Sequence, residues 1–249
     1  MLFTFSNFGG SGLVVGHGSL ITAISTVGTP TTVIPSPEAG KLRLVVLSGF
    51  MAMIEGQTAG VVVSNESGGD AEVTFYFGSV NLGGPNGGLI PNDSTIPGAE
   101  VLNHGAWVLT GENEDLKCEL LVGAEVRVFA TWLDFDASLF GLARLTISDA
   151  ALHEVIPAPA ADKVHELFLF PGAETPHLFF NPSGEAAKWF VNDGIADRLL
   201  APSSPTSPFE AVFGSQWRYY TLRKGESLKV KFDNAPAPAS VLAFAYRIL

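Results

Sequence analysis

Val33-Ile34-Pro35-Ser36-Pro37 and Val155-Ile156-Pro157-Ala158-Pro159 are one motif written twice, 122 residues apart. At the same spacing Lys41 meets Lys163. Each lysine opens an apolar run, Leu42-Arg43-Leu44-Val45-Val46-Leu47 in one case and Val164-His165-Glu166-Leu167-Phe168-Leu169 in the other. Further on, Val61-Val62-Val63-Ser64-Asn65-Glu66-Ser67-Gly68 resembles His177-Leu178-Phe179-Phe180-Asn181-Pro182-Ser183-Gly184 at a spacing of 116. Val108-Leu109-Thr110-Gly111-Glu112 resembles Leu222-Arg223-Lys224-Gly225-Glu226 at 114, the spacing that also relates Trp132 to Tyr246. The landmarks keep their order while the spacing shrinks. A duplicated unit behaves this way, because loops accept insertions more readily than strands.

Each copy reads as strands. Glu72-Val73-Thr74-Phe75-Tyr76-Phe77 is rich in β-branched and aromatic residues. Val126, Val128, Ala130 and Trp132 alternate onto one face of their segment, and Leu228-Lys229-Val230-Lys231-Phe232 alternates throughout. Alternation of period two marks an antiparallel strand with one wet face. Asn65-Glu66-Ser67-Gly68-Gly69-Asp70 lies between apolar runs and predicts a hairpin turn. No sustained 3.6-residue stripe is present. Gly194 to Ala201, closed by Pro202, is the best helical candidate, and Leu139 to Ala151 holds either a short helix or a strand at Leu145-Thr146-Ile147. The fold class expected is therefore all-β, with two tandem antiparallel β-sandwich domains of jelly-roll or immunoglobulin-like type and little helix. Residues 1–30 form an N-terminal arm or first strands, 31–150 the first sandwich and 151–249 the second.

Composition supports a packed core and narrows the partners. Of 249 residues 47% are hydrophobic and 16% charged, which excludes a disordered chain. Fourteen basic residues against 25 acidic leave a net charge of −11, the wrong sign for a phosphate-neutralising surface, so direct nucleic-acid binding is not expected. A single cysteine, Cys118, rules out an intrachain disulfide, and its place in an apolar strand predicts a buried, inert thiol. The N-terminus has no positively charged leader pattern, and no apolar run is long enough to span a bilayer as a helix, so no membrane partner is expected.

Motifs that carry chemistry are weak. There is no phosphate-binding glycine loop with a lysine and no Gly-x-Ser-x-Gly elbow. The five histidines, His17, His104, His153, His165 and His177, show no zinc spacing. Asp134 and Asp136 would share a strand face and could serve as paired carboxylates or cation ligands. Glu112-Asn113-Glu114-Asp115 and Asn192-Asp193-Gly194 are better explained as turns. The reading is therefore non-enzymatic, with no catalytic, cofactor-binding or metal residues assigned and no cofactor expected.

Candidate partner contacts come from three places. The first 30 residues carry Phe3, Phe5 and Phe8 among glycines, either as an arm that anchors on a neighbour or as an ordinary first strand. The stretch from Gly78 to Gly105, with Pro85 and Asn86, and its counterpart from Ala201 to Pro208, with Pro205, are either tolerated insertions or contacting arms. Gln216-Trp217-Arg218-Tyr219-Tyr220 is either a strand with alternating core and surface rings or a sugar-stacking or protein-contact strand, with Trp217 and Tyr219 as its anchors.

Taken in order, these motifs resemble a small β-sandwich unit common in structural proteins of tailed bacteriophages. The resemblance rests on Pro37-Glu38-Ala39-Gly40-Lys41 with Gly111-Glu112 in the first copy. In the second it rests on Pro159-Ala160-Ala161-Asp162-Lys163 with Gly225-Glu226-Ser227-Leu228. Asp162 stands where the pattern prefers glycine. The resemblance covers residues 33–249 and implies a virion location, made in the host cytoplasm and placed on the capsid exterior. It implies a capsid decoration or cement role, or a fibre or tail one. A receptor- or glycan-binding module is the alternative reading, and it calls for an exposed aromatic platform around Trp217. The partners implied are the major capsid protein or other virion proteins, with a homo-oligomer such as a trimer among the expected states. It implies no catalytic residues.

Overall fold

A computed structural model describes residues 3–5, 14–47, 52–83, 87–102, 106–169, 177–204 and 218–249. The chain divides into two compact units, Met1–Ala137 and Ser138–Leu249. Among the described residues nearly all regular structure is strand. The exceptions are a five-residue helix, α1 (Gly98–Leu102), and a 3-10 turn, Ala137–Leu139.

In the first unit, β2 (Val14–Ile24), β4 (Lys41–Leu47), β6 (Gln57–Asn65), β11 (Ala106–Thr110) and β13 (Val126–Asp136) belong to one sheet. β13 is its spine. It pairs with β2 along its whole length on one side. On the other it pairs with β6 through its first half and with β4 through its second, and β4 continues to β11. The second sheet runs β3 (Thr31–Ile34), β12 (Leu116–Val122), β7 (Ala71–Phe77), then β8 (Val80–Asn81) and β9 (Gly88–Ile90), both on the far edge of β7. All these ladders are antiparallel.

The second unit repeats the plan. β14 (Phe140–Ile147), β16 (His165–Leu169), β17 (His177–Phe180), β20 (Arg218–Leu222) and β22 (Ser240–Ile248) form one sheet. β22 is its spine, with β14 on one side, β17 and β16 on the other, and β20 beyond β16. The opposing sheet runs β15 (His153–Ile156), β21 (Ser227–Phe232), β18 (Ala187–Asn192), β19 (Asp197–Ser204). β16 and β17 occupy successive stretches of the same side of β22 and so fill one place in the sheet. Counted this way, eight strand positions divided four and four in this wrapped order make a jelly roll. Of the two sandwich types expected, the connectivity matches this one in both units.

The duplication extends to single residues. Gly18 lies opposite Trp132 on β13, and Gly141 lies opposite Tyr246 on β22. Leu116 faces Ile34, and Leu228 faces Ile156. Asn65 Nδ2 donates to the Gly69 carbonyl at 2.8 Å, and Asn181 Nδ2 donates to the Glu185 carbonyl at 2.8 Å. Lys41 N–H donates to the Glu38 carbonyl and Lys163 N–H to the Ala160 carbonyl, so Asp162 closes the same turn as Gly40.

The core lies between the two sheets of each unit. In the second unit Phe179 and Phe244 come from one sheet, Trp189 and Phe232 from the other. Trp189 meets Phe179 edge-on at 5.8 Å and Phe244 at 5.7 Å, while Phe179 stacks on Phe232 at 6.2 Å. The equivalent positions by register in the first unit are Phe75, Val63, Leu120 and Ala130, all buried. One architecture therefore holds two different core fillings, as a conserved hydrophobic pattern allows.

Several readings of the sequence require correction. The boundary near residue 150 moves to Ala137/Ser138, because β14 runs along β22 as β2 runs along β13 and so opens the second module. Gly194–Ala201 is not a helix. Its first residues form a turn in which Asp193 Oδ1 accepts from the Ile195 and Ala196 N–H groups, and the rest is edge strand β19, where Pro202 is tolerated. The stretch from Gly78 to Gly105 is not a bare loop. It contains β8, β9, β10 (Thr95–Pro97), which pairs with β6, and α1. Leu145-Thr146-Ile147 lies in β14, so the strand alternative holds there.

The Gly-Glu turn of the first copy is displaced by two residues from Gly111-Glu112. The true counterpart of Gly225-Glu226-Ser227-Leu228 is Asn113-Glu114-Asp115-Leu116. Glu114 Oε2 accepts from Gly111 N–H at 2.7 Å, as Glu226 Oε2 accepts from Arg223 N–H at 2.8 Å. Asn113 has φ 66° where Gly225 has φ 83°. Asparagine is among the few side chains that tolerate the left-handed region, and so replaces glycine without changing the turn.

Candidate functional site

The contact residues expected from sequence fall unevenly on the structure. Phe3 and Phe5 lie in β1 (Phe3–Phe5), which pairs in parallel with β5 (Ala52–Ile54) in the first unit. Tyr219 lies in β20, opposite Phe168, in the second unit. Phe8, Pro85, Asn86, Pro205 and Trp217 lie outside the described residues. Of the eight expected contacts the structure therefore places three.

It does present a surface that the sequence did not single out. Among the described strands β2 pairs only with β13. Its free edge carries unpaired backbone donors and acceptors, which is the template for adding another strand. Val15, His17, Ser19, Ile21 and Ala23 all point to the exposed side, with Ile21 65% and Val15 48% accessible. The eleven residues contain no Asp, Glu, Lys, Arg or Pro, so the usual guards of an edge strand are absent. Near its start a shallow cleft of about 270 Å³ is lined by Val14, Val15, Gly16, His17, Glu55 and Gln57. Val14 N–H donates to Glu55 Oε2 there at 3.4 Å. The period-two pattern of this segment is legible in sequence, but which face and which edge stay open depends on what covers them.

Behind this edge sits a polar anchor built twice. Arg43, 6% exposed, donates through Nη1 to the Pro35 carbonyl at 2.7 Å, and its guanidinium lies 4.6 Å from the Trp132 ring. Its Nε and Nη2 donate to Asp134 Oδ1 and Oδ2 at 2.7 and 3.1 Å. In the second unit His165, 7% exposed, takes the place of Arg43. Its Nδ1 lies 3.0 Å from the Pro157 carbonyl, and its ring lies tilted against Tyr246 at 4.4 Å. Each anchor thus clips the Val-Ile-Pro segment to the spine strand of the opposite sheet. Each ring is covered in turn by a glycine of the edge strand. A Cβ on Gly18 would lie 2.5 Å from Trp132, and one on Gly141 would lie 2.1 Å from the Tyr246 ring. Gly141→Ala is expected to destabilise the second unit by about 1–3 kcal/mol through overpacking. Urea denaturation of the full chain checks this, and an unchanged midpoint would contradict the contact.

The residues considered for chemistry are otherwise engaged. Asp134 is ion-paired with Arg43 while Asp136 is exposed, so the two do not form a carboxylate pair on one surface. Glu112 to Asp115 forms the turn before β12, with Asp115 accepting from Thr32 Oγ1 at 2.8 Å. Asp193 is held below the usual carboxylate range by the Ala196 and Ile195 N–H groups, then by Arg198. Cys118 is fully buried, and desolvation pushes its thiol well above the ordinary range, so it is inert toward nucleophilic chemistry. His153 meets Asp149 at 2.7 Å on the surface. Among the described residues no group of three His, Cys, Asp or Glu is placed to hold a metal ion. Among the same residues no helix is long and apolar enough to cross a membrane.

No family model matches the chain, and no curated protein matches it. Solved structures that align with it do so weakly. The STIV MCP, described as a crystal structure, is 8% identical over 93% of this chain and 96% of its own, with a TM-score of 0.29. A chain from the atomic structure of Sulfolobus Turreted Icosahedral Virus is 9% identical over 94% and 90%, with a TM-score of 0.27. A conserved protein of unknown function, PA5104 from Pseudomonas aeruginosa PAO1, is 7% identical over 94% and 98%, with a TM-score of 0.22. Likenesses this low carry no argument, so the architecture assigned above rests on strand pairing within the chain itself.

Proposed function

We propose that this chain is a non-enzymatic structural protein of a virus particle, acting on the capsid as a decoration or cement protein that bridges shell subunits. The observation that carries the reading is the duplicated jelly roll, taken together with the resemblance of the sequence to a phage structural unit. A rigid sandwich with a free edge suits a role in which outer surfaces do the work. Two linked copies would also multiply modest contacts through avidity. A second reading, that the chain is itself a shell subunit, is favoured by the jelly-roll connectivity, a plan that viral capsid proteins share with lectins and cupins.

Co-sedimentation of the purified protein with bare capsids tests the proposal. Binding to preformed capsids, together with a rise in their resistance to heat, is the result expected of a decoration protein. Assembly into closed particles without any other capsid protein would favour the second reading. Failure of both would remove the capsid role and leave a tail or fibre one. Ile21→Lys places a charge on the open edge of β2 and is expected to weaken capsid binding about tenfold, the loss of one anchor worth ~1.4 kcal/mol. Circular dichroism of this variant should match the parent, since Ile21 supports no core.

A further inference from the structure

The two polar anchors differ in one respect. The register that sets Arg43 opposite Asp134 sets His165 opposite Ile248. In the first unit the buried cation has a carboxylate, bonded twice. In the second unit the carboxylate position is an isoleucine and the cation position a histidine. The Pro157 carbonyl can only accept, so the ring proton sits on Nδ1 and the neutral imidazole satisfies that contact. A second proton would have to sit on Nε2.

The surroundings offer that proton little. On its own strand and the turn before it, the ionisable neighbours of His165 are Glu166 and Lys163. β22 contributes Tyr246 and Arg247, the turn after β20 contributes Arg223, and β15 contributes Glu154. The terminal carboxylate of Leu249 follows β22, where Leu249 exchanges backbone hydrogen bonds with Val164 at 3.0 Å and is itself exposed. Glu166 and Arg247 are paired one position along from His165, so alternation sends their side chains to the other face of the sheet. Leu222 is its partner on β20. Tyr246, whose ring it lies tilted against, is a neutral phenol that burial keeps protonated.

We propose that the second unit is the acid-labile half of this chain: a proton added to His165 meets no counterion among the described side chains, and β16, β20 and β22 around it loosen while β4, β11 and β13 hold. The sign follows from the site. Burial holds His165 below the ordinary histidine value of 6.5, with the Pro157 carbonyl opposing only in part. The unfolded chain therefore binds the proton more readily than the folded one. Stability is whole above pH 6.5 and falls as the pH drops below it, until the lower folded-state value is passed.

Hydrogen exchange of the full chain, followed by mass spectrometry from pH 7.5 to 5.5 with times scaled for intrinsic rates, tests this. Opening of β16, β20 and β22 is expected to rise at least about threefold relative to β4, β11 and β13, within the tenfold per pH unit that one proton allows. His165→Gln should abolish the difference. Ile248→Asp, which rebuilds the carboxylate of the first unit, should reduce or reverse it. Both variants leave His153 and His177 in place. Equal opening of the two units, or a parental response in His165→Gln, would overturn the proposal. If His165→Gln does not fold at pH 7.5, a parental response in Ile248→Asp overturns it instead.

Discussion

Asp134→Ala is expected to destabilise the first unit by about 3–5 kcal/mol, because it leaves the Arg43 guanidinium buried beside Trp132 without its carboxylate. Both side chains of the pair are under 10% exposed, so water cannot replace the lost partner. The Pro35 carbonyl would still accept from Nη1, but a carbonyl does not neutralise the charge. Replacing both members by apolar residues of similar volume, as in Arg43→Met with Asp134→Leu, should recover most of the loss. An apolar pair avoids the desolvation that the ion pair must offset. Denaturant titration of the two single variants and the double one gives the coupling directly. Additive losses would show that the pair does not act as a unit.

Trp189→Ala should cost about 3–5 kcal/mol in the second unit. Trp189 is 1% exposed and is the largest fully buried side chain among the described residues, packed between Phe179 and Phe244, which come from the opposite sheet. Its removal takes a packing partner from the rings on both sides, and strands fixed by ladder hydrogen bonds cannot close the gap. Hydrogen exchange should show lost protection in β18, β21 and β22. The equivalent residue of the first unit is Phe75, so strands β7, β12 and β13 should be unaffected. Loss in both units alike would contradict separate cores.

Much of the fold was legible because strands announce themselves locally. Val33-Ile34-Pro35 and Val155-Ile156-Pro157 marked the duplication, and the alternation of Leu228 to Phe232 marked a wet-faced strand that β21 confirms. What was misread has a common cause. Asn113 was passed over for Gly111 because the left-handed position was sought at a glycine. β2 and β14 went unmatched because, at their spacing, little beyond Gly18/Gly141 and Ile24/Ile147 is retained. Leu199, Leu200 and Ala201 looked helical on composition, but the ladder to β18 set them as strand. Tertiary pairing overrides local propensity most easily in short segments.

Sequence alone determined that this is an all-β chain containing one module twice, since period-two patterning and turn residues act over a few neighbouring positions. Only the tertiary structure decided which polar residues are buried together. Arg43 meets Asp134 across 91 residues, and His165 faces Ile248 across a similar span. Such partners are chosen by strand register, which is settled by burial of whole faces at once. The charge balance of each anchor, and the open edge of β2 beside it, therefore became visible only when the sheets were assembled.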